Sequence, residues 1–291
     1  MTITPVPLTT IRARQCHTYA IYSIAPVAGG RIATCSDSAA LAVWSLASDE
    51  REATLSGHDG WVRALCALAD GSNRLLSGGS GDFVVRLHDM DAGHGGAVVP
   101  PTREYCGHTD WVRAIVELRG GRFASGSEDR TVRVWDTESG ACLATLGGLT
   151  GCVWALAVAD DDTLVSGGDD KTLQVWDTHT YAAVATIETP SQVYALLRLT
   201  DGTVASGHGD DVVRLWDWRR REAVGQLRGH TEFVHSLTQL PDGRLASVSG
   251  DKTVRVWDVA VRACVGVANA PSTIWCCCVT AGGELAVGCH D

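Results

Sequence analysis

Ser125, His108 and Asp129 supply a hydroxyl, an imidazole able to take its proton and a carboxylate able to orient that imidazole, the three groups of a nucleophilic relay. Trp135 adds an indole N–H. The same four types return at His230, Ser247, Asp251 and Trp257 with the same separations of 17, 4 and 6 residues. A catalytic set occupies one place in a protein. A set that returns with a structural repeat belongs to the fold, and function has to be sought in residues that do not repeat. The sequence also holds no Gly-rich phosphate loop, no nucleophile elbow and no HExxH motif. No residue is therefore assigned a catalytic role, no cofactor or metal is expected, and the chain reads as a non-enzyme.

The elements that must hold these residues are short strands. Between Gly107 and Gly148, Trp111 to Leu118, Arg122 to Ser127, Thr131 to Asp136 and Cys142 to Leu146 each alternate apolar with other residues and are partly β-branched or aromatic. Gly120-Gly121 marks a tight hairpin that needs positive φ. Four strands of this size cannot bury their faces alone and need copies on either side. The copies exist. With the histidine of the Gly-His pair as marker, repeats fall at 17, 58, 108, 149, 189, 230 and about 270, at intervals of 41, 50, 41, 40, 41 and 40 residues. Leu149 and Thr189 replace the histidine in the fourth and fifth repeats, and His88 replaces Trp in the second. The longer interval reflects an insertion, roughly Asp91 to Pro101, whose Gly and Pro content predicts an exposed loop.

This period, with Trp44, Trp135, Trp176, Trp216 and Trp257 at equivalent third-strand positions, resembles the WD-repeat β-propeller family over nearly the whole chain. The resemblance implies an all-β, seven-bladed WD-repeat β-propeller, a single domain over 1–291. It also implies that the tetrads are buried networks in which aspartate holds histidine, histidine reaches serine, and serine reaches the indole N–H. The seventh repeat supplies only Ile274 to Thr280 and Glu284 to Cys289. Residues 1–16 are therefore expected to complete the last blade and close the ring, with Thr10 to Arg14 as its fourth strand and Thr2 to Val6 as a poorer third because of Pro5 and Pro7.

A net charge of −10 gives no electrostatic footprint for nucleic acid. No apolar stretch approaches membrane-spanning length, and the N-terminus lacks a signal-peptide core. Eleven scattered cysteines, an odd number, argue for a reducing intracellular setting, cytoplasmic or nuclear.

The Trp residues outside the third strands identify the candidate site. Three positions after each marker stand Ala20, Trp61, Trp111, Cys152, Gln192, Phe233 and Thr273. Five positions after stand Tyr22, Arg63, Arg113, Trp154, Tyr194, His235 and Trp275. The residue between them is always Val or Ile. Both sets start the innermost strand on one side of it, and in a propeller they ring the central channel at one rim. Glu128 and Asp169, each just before a turn aspartate, reach the same rim. Aromatic residues with arginine are the composition of interaction hot spots. The expected function is therefore a scaffold that binds a protein or peptide segment at Tyr22, Trp61, Arg63, Trp111, Arg113, Glu128, Trp154, Asp169, Tyr194, Phe233, His235 and Trp275. It would act as a monomer within a larger complex, with neither nucleic acid nor membrane as partner. The rim chemistry leaves two ligands open, a cation on the aromatic rings or an anion on the arginines.

A second stretch, Val204 to Arg219, resembles the box ending in W-D-x-R of cullin-RING ubiquitin ligase substrate receptors. That resemblance implies an adaptor contact at Arg219 and gives the alternative function of substrate receptor.

Overall fold

The computed structural model describes residues 8–9, 19–92 and 96–290. Among the described residues every regular element is a β-strand. In blade three the strands are Val112–Leu118, Arg122–Ser127, Val132–Asp136 and Cys142–Leu146, hydrogen-bonded in that order. Gly120 and Gly121 take φ of 73° and 67° in the first hairpin, the left-handed pair its turn requires.

Five more sheets repeat this plan. Blade one starts at Ile21–Val27, blade two at Val62–Ala67, blade four at Val153–Asp160, blade five at Val193–Arg198 and blade six at Val234–Gln239. A seventh sheet is different. It holds the hairpin Ile274–Val279 and Leu285–Cys289 plus the two-residue strand Leu8–Thr9.

This overturns the expected seven-bladed ring closed by an N-terminal fourth strand. Among the described residues the propeller has six complete blades and one three-stranded sheet. Leu8 and Thr9 pair directly with Leu285 and Ala286, and they run parallel. An added outer strand of the repeat would run antiparallel, as in the six complete blades. Thr10 to Arg14 and Thr2 to Val6 lie outside the described residues. The hairpin still packs into the ring. Its Cys276 and Cys278 join Ile21, Ile24 and Trp44 of blade one, and its Ile274 and Cys277 join Leu240 and Val254 of the blade-six side.

The insertion is also corrected. Ala97–Val99 is a strand that runs parallel to Arg51–Leu55 and adds a fifth strand to blade one. Val99 is buried there beside Leu55 and Met90, which outweighs the local turn composition.

Two devices aim the inner strands. The first is a β-bulge at the start of every one. Pairing skips from Ile21 to Ser23, Val62 to Ala64, Val112 to Ala114, Val153 to Ala155, Val193 to Ala195, Val234 to Ser236 and Ile274 to Cys276. The skipped residue is in each case the one five places after the marker, so the bulge turns that side chain toward the channel. The second is the intervening Val or Ile, which is buried and packs on the preceding blade. A Cβ on Gly78, Gly126, Gly167 or Gly207 would stand 2.6–2.8 Å from Cγ1 of Val112, Val153, Val193 or Val234.

Candidate functional site

The tetrads form as networks. In blade three His108 Nδ1 lies 2.7 Å from Asp129 Oδ2 and Nε2 lies 2.7 Å from Ser125 Oγ, while Trp135 Nε1 donates to Ser125 Oγ at 2.8 Å. In blade six the His230–Asp251, His230–Ser247 and Trp257–Ser247 distances are 2.8, 2.7 and 2.8 Å. Burial alone would raise the Asp129 carboxyl. Hydrogen bonds from His108 and Thr131 outweigh it and hold the group well below the usual carboxylate range. Ser125 and Ser247 have no exposed surface, so neither hydroxyl can meet a substrate. Blade two keeps the same plan, with His88 Nε2 3.2 Å from Ser77 Oγ in place of an indole.

Blade five contains a histidine that the repeat alignment misses. Its marker position is Thr189, yet His208 Nε2 lies 2.7 Å from Ser206 Oγ, which also accepts from Trp216 Nε1 at 2.6 Å. His208 comes from the second strand, two residues after the serine, and occupies the space of the missing imidazole. Burial pushes its pKa down to about 4, so it is neutral. Asp210, released from any marker histidine, makes a two-pronged pair with buried Arg214 at 2.8 and 2.6 Å. The signal was present in the sequence as His208 where the other repeats carry Ser, Gly or, in the last, Cys289.

At the rim, Tyr22, Arg63, Arg113, Trp154, Tyr194, Phe233, His235 and Trp275 line one cavity of about 270 Å³. The ring is continuous. The Arg63 guanidinium carbon sits 3.4 Å from the Tyr22 ring centre and 5.9 Å from that of Trp111. Arg113 sits 4.6 Å from Trp111 and 4.3 Å from Trp154. Trp154 meets Tyr194 edge-on at 5.5 Å, Tyr194 stacks on Phe233 at 5.5 Å, His235 lies 4.4 Å from Trp275, and Trp275 meets Tyr22 at 5.4 Å. Trp61 stands outside the cavity, edge-on to Trp111 at 5.7 Å and 42% exposed.

Both arginines are already paired. Arg113 Nε donates to Glu128 Oε1 at 2.6 Å, and Arg63 Nη2 lies 3.4 Å from Asp37 Oδ1. Asp37 also accepts from the Tyr22 hydroxyl at 2.9 Å. Burial pulls the Arg113 guanidinium below its ordinary range, against its pair with Glu128. Asp37 is the rim residue missing from the sequence reading. It stands just before Ser38, as Glu128 stands before Asp129, and it does for Arg63 what Glu128 does for Arg113. Asp169 is placed near Cys152 and Tyr194. Both of these are raised, first by burial and then by that carboxylate.

Arg219 does not join the rim. It pairs with Asp160 at 2.9 Å and lies 4.2 Å from the Trp218 ring, so its charge is used between blades four and five. Among the described residues no group of three or more His, Cys, Asp or Glu side chains is placed to hold a metal ion, and no helix is long and apolar enough to cross a membrane.

The described residues thus form a WD-type ring of six complete blades and a three-stranded seventh sheet, with buried tetrads and an aromatic rim. The family model described as WD domain, G-beta repeat matches residues 49–89, 100–136, 140–177 and 221–258, more than half of the chain, and the chain belongs to that family. Its sequence is 33% identical over 111 residues to Mitochondrial division protein 1 of Kluyveromyces lactis, covering 36% of this chain and 15% of that one. It is 41% identical over 69 residues to THO complex subunit 6 of Drosophila melanogaster (24% and 18% covered). It is 33% identical over 145 residues to Nuclear distribution protein PAC1 of Ajellomyces capsulatus (38% and 30% covered). The chain thus spans less than a third of the length of these relatives. The crystal structure of the WD40 β-propeller domain of Doa1 superposes with a TM-score of 0.84 over 94% of this chain and 91% of that one, at 23% identity, a likeness that shows the fold. Fold and family together fit a protein-interaction scaffold.

Proposed function

We propose that the protein is a non-catalytic scaffold whose rim cavity receives a segment of a protein partner. The observation that supports this most is the bulge in every inner strand, which delivers seven side chains of unlike chemistry to one cavity of about 270 Å³ while the neighbouring Val and Ile stay buried as packing. A side chain selected for burial alone would be aliphatic, as those neighbours are. Aromatic and arginine side chains give large contact area with few rotamers to fix.

The test is affinity capture with wild type and Trp154→Ala at matched amounts of folded protein. The reading expects at least one partner to be retained by wild type and depleted about tenfold or more with the variant, the size of a central hot spot. Equal capture of every partner by both proteins would overturn it.

A further inference from the structure

We propose that the rim cavity selects a cationic, ammonium-bearing side chain, lysine or an N-methylated lysine, and seats it against Tyr194, Phe233 and Trp275. The proposal rests on the rim being the binding site. The cavity has two unlike halves. In the first, Asp37 and Glu128 occupy the positions before the turns and neutralise Arg63 and Arg113. Their side chains are only 17% and 22% exposed. An incoming carboxylate or phosphate would have to evict one of them, exchanging one anion for another with little gain in charge.

In the second half the corresponding positions are Gly209 and Gly250. Both have negative φ, so backbone freedom does not explain them. Space does. A Cβ at Gly209 would come 3.1 Å from Tyr194 Cε2, and one at Gly250 would come 2.7 Å from Glu232 Oε2 and 3.5 Å from His235 Nε2. Tyr194 and Gln192 close onto the backbone at Gly209 and Glu232 closes onto it at Gly250, so no side chain from either position stands in the cavity as Asp37 and Glu128 do. Tyr194, Phe233, His235 and Trp275 line this half with no Arg or Lys among them, and burial pushes the pKa of His235 down to about 4. Two carboxylates border it, Glu232 beside Gly250 and Asp169, which raises Tyr194, while Arg63 and Arg113 stay on the other side, paired with Asp37 and Glu128. Aromatic rings with anionic edges and no paired cation attract a positive head group and its apolar stem together.

The experiment titrates the wild-type chain with choline, with dimethylbutanol as its uncharged carbon isostere, and with acetate. Binding is followed by NMR through the indole N–H resonances of Trp154 and Trp275. Choline is expected to shift both resonances saturably and to bind about fivefold or more tightly than the isostere, the upper end of an exposed cation–π contact. Glu232→Gln is expected to weaken choline and leave the isostere unchanged. The proposal is overturned if the isostere matches choline, if acetate saturates these resonances, or if choline gives no saturable shift. The rim reading falls on a different result, unchanged partner capture by Trp154→Ala, so the two can fail separately.

Discussion

Gly126 and Val153 touch across the boundary between blades three and four. A Cβ on Gly126 would lie 2.6 Å from Val153 Cγ1 and 3.2 Å from its Cβ. The glycine of the second strand and the valine of the next inner strand are two halves of one joint, and the same joint recurs at Gly78–Val112, Gly167–Val193 and Gly207–Val234. It sets how closely neighbouring blades approach. Through the strand that follows, it also sets where the bulged rim residue points.

Gly126→Ala is therefore expected to cost about 1–3 kcal/mol by overpacking. Adding Val153→Ala should restore most of that loss, giving a coupling well above experimental error in chemical denaturation. Additive losses would show that the two residues do not form one joint.

The tetrads give an ordered series. Asp129→Ala and Asp251→Ala each strip a buried histidine of its carboxylate and should destabilise by about 3–5 kcal/mol. Asp210→Ala should fall in the same range although its blade lacks the marker histidine, because it leaves buried Arg214 unpaired. Asp170 accepts the backbone N–H and the hydroxyl of Thr172 at 3.1 and 3.0 Å, its blade having Leu149 at the marker position, and Asp170→Ala should cost less, about 1 kcal/mol. Urea midpoints of the four variants rank them directly.

His208 predicts a pH dependence. Its folded pKa is depressed to about 4 by burial, while the unfolded chain titrates near the ordinary value of about 6.5. The unfolded state then binds more protons than the native state between these values, so stability is full above pH ~6.5 and falls as pH drops toward ~4. The loss from this residue is at most about 3 kcal/mol. His208→Gln should flatten the wild-type slope of unfolding free energy against pH by about one proton in that window. A variant with the wild-type slope would assign the acid sensitivity to other groups.

Rim and core aromatics should separate in two assays. Trp61→Ala and Phe233→Ala remove side chains that are 42% and 49% exposed. Each should lower partner affinity by about 1–3 kcal/mol and melting stability by less than about 1 kcal/mol. Trp135→Ala removes a ring with 1% exposure and should cost about 3–5 kcal/mol of stability. If Trp61→Ala and Phe233→Ala melt early yet bind normally per folded molecule, these rings serve packing.

The sequence by itself determined the repeat, the strands within it, the tetrads of blades three and six and the residues five places after each marker that line the rim cavity. These are written in local patterns, a period of two along a strand and a period of about forty along the chain, that each repeat states for itself. Tertiary structure alone decided four other features. Ala97–Val99 became a strand because Val99 finds a buried place beside Leu55. Among the described residues the last sheet has Leu8–Thr9 as its third strand, paired directly and in parallel with Leu285–Ala286. His208 entered the blade-five network from an unaligned position because only the distance to Ser206 matters there. Arg63 is paired because Asp37 reaches it from the neighbouring blade. The Val99, Leu8–Thr9 and Arg63 features depend on which groups meet after the ring assembles, and their meeting residues lie on strands or blades whose periodic patterns carry no information about one another.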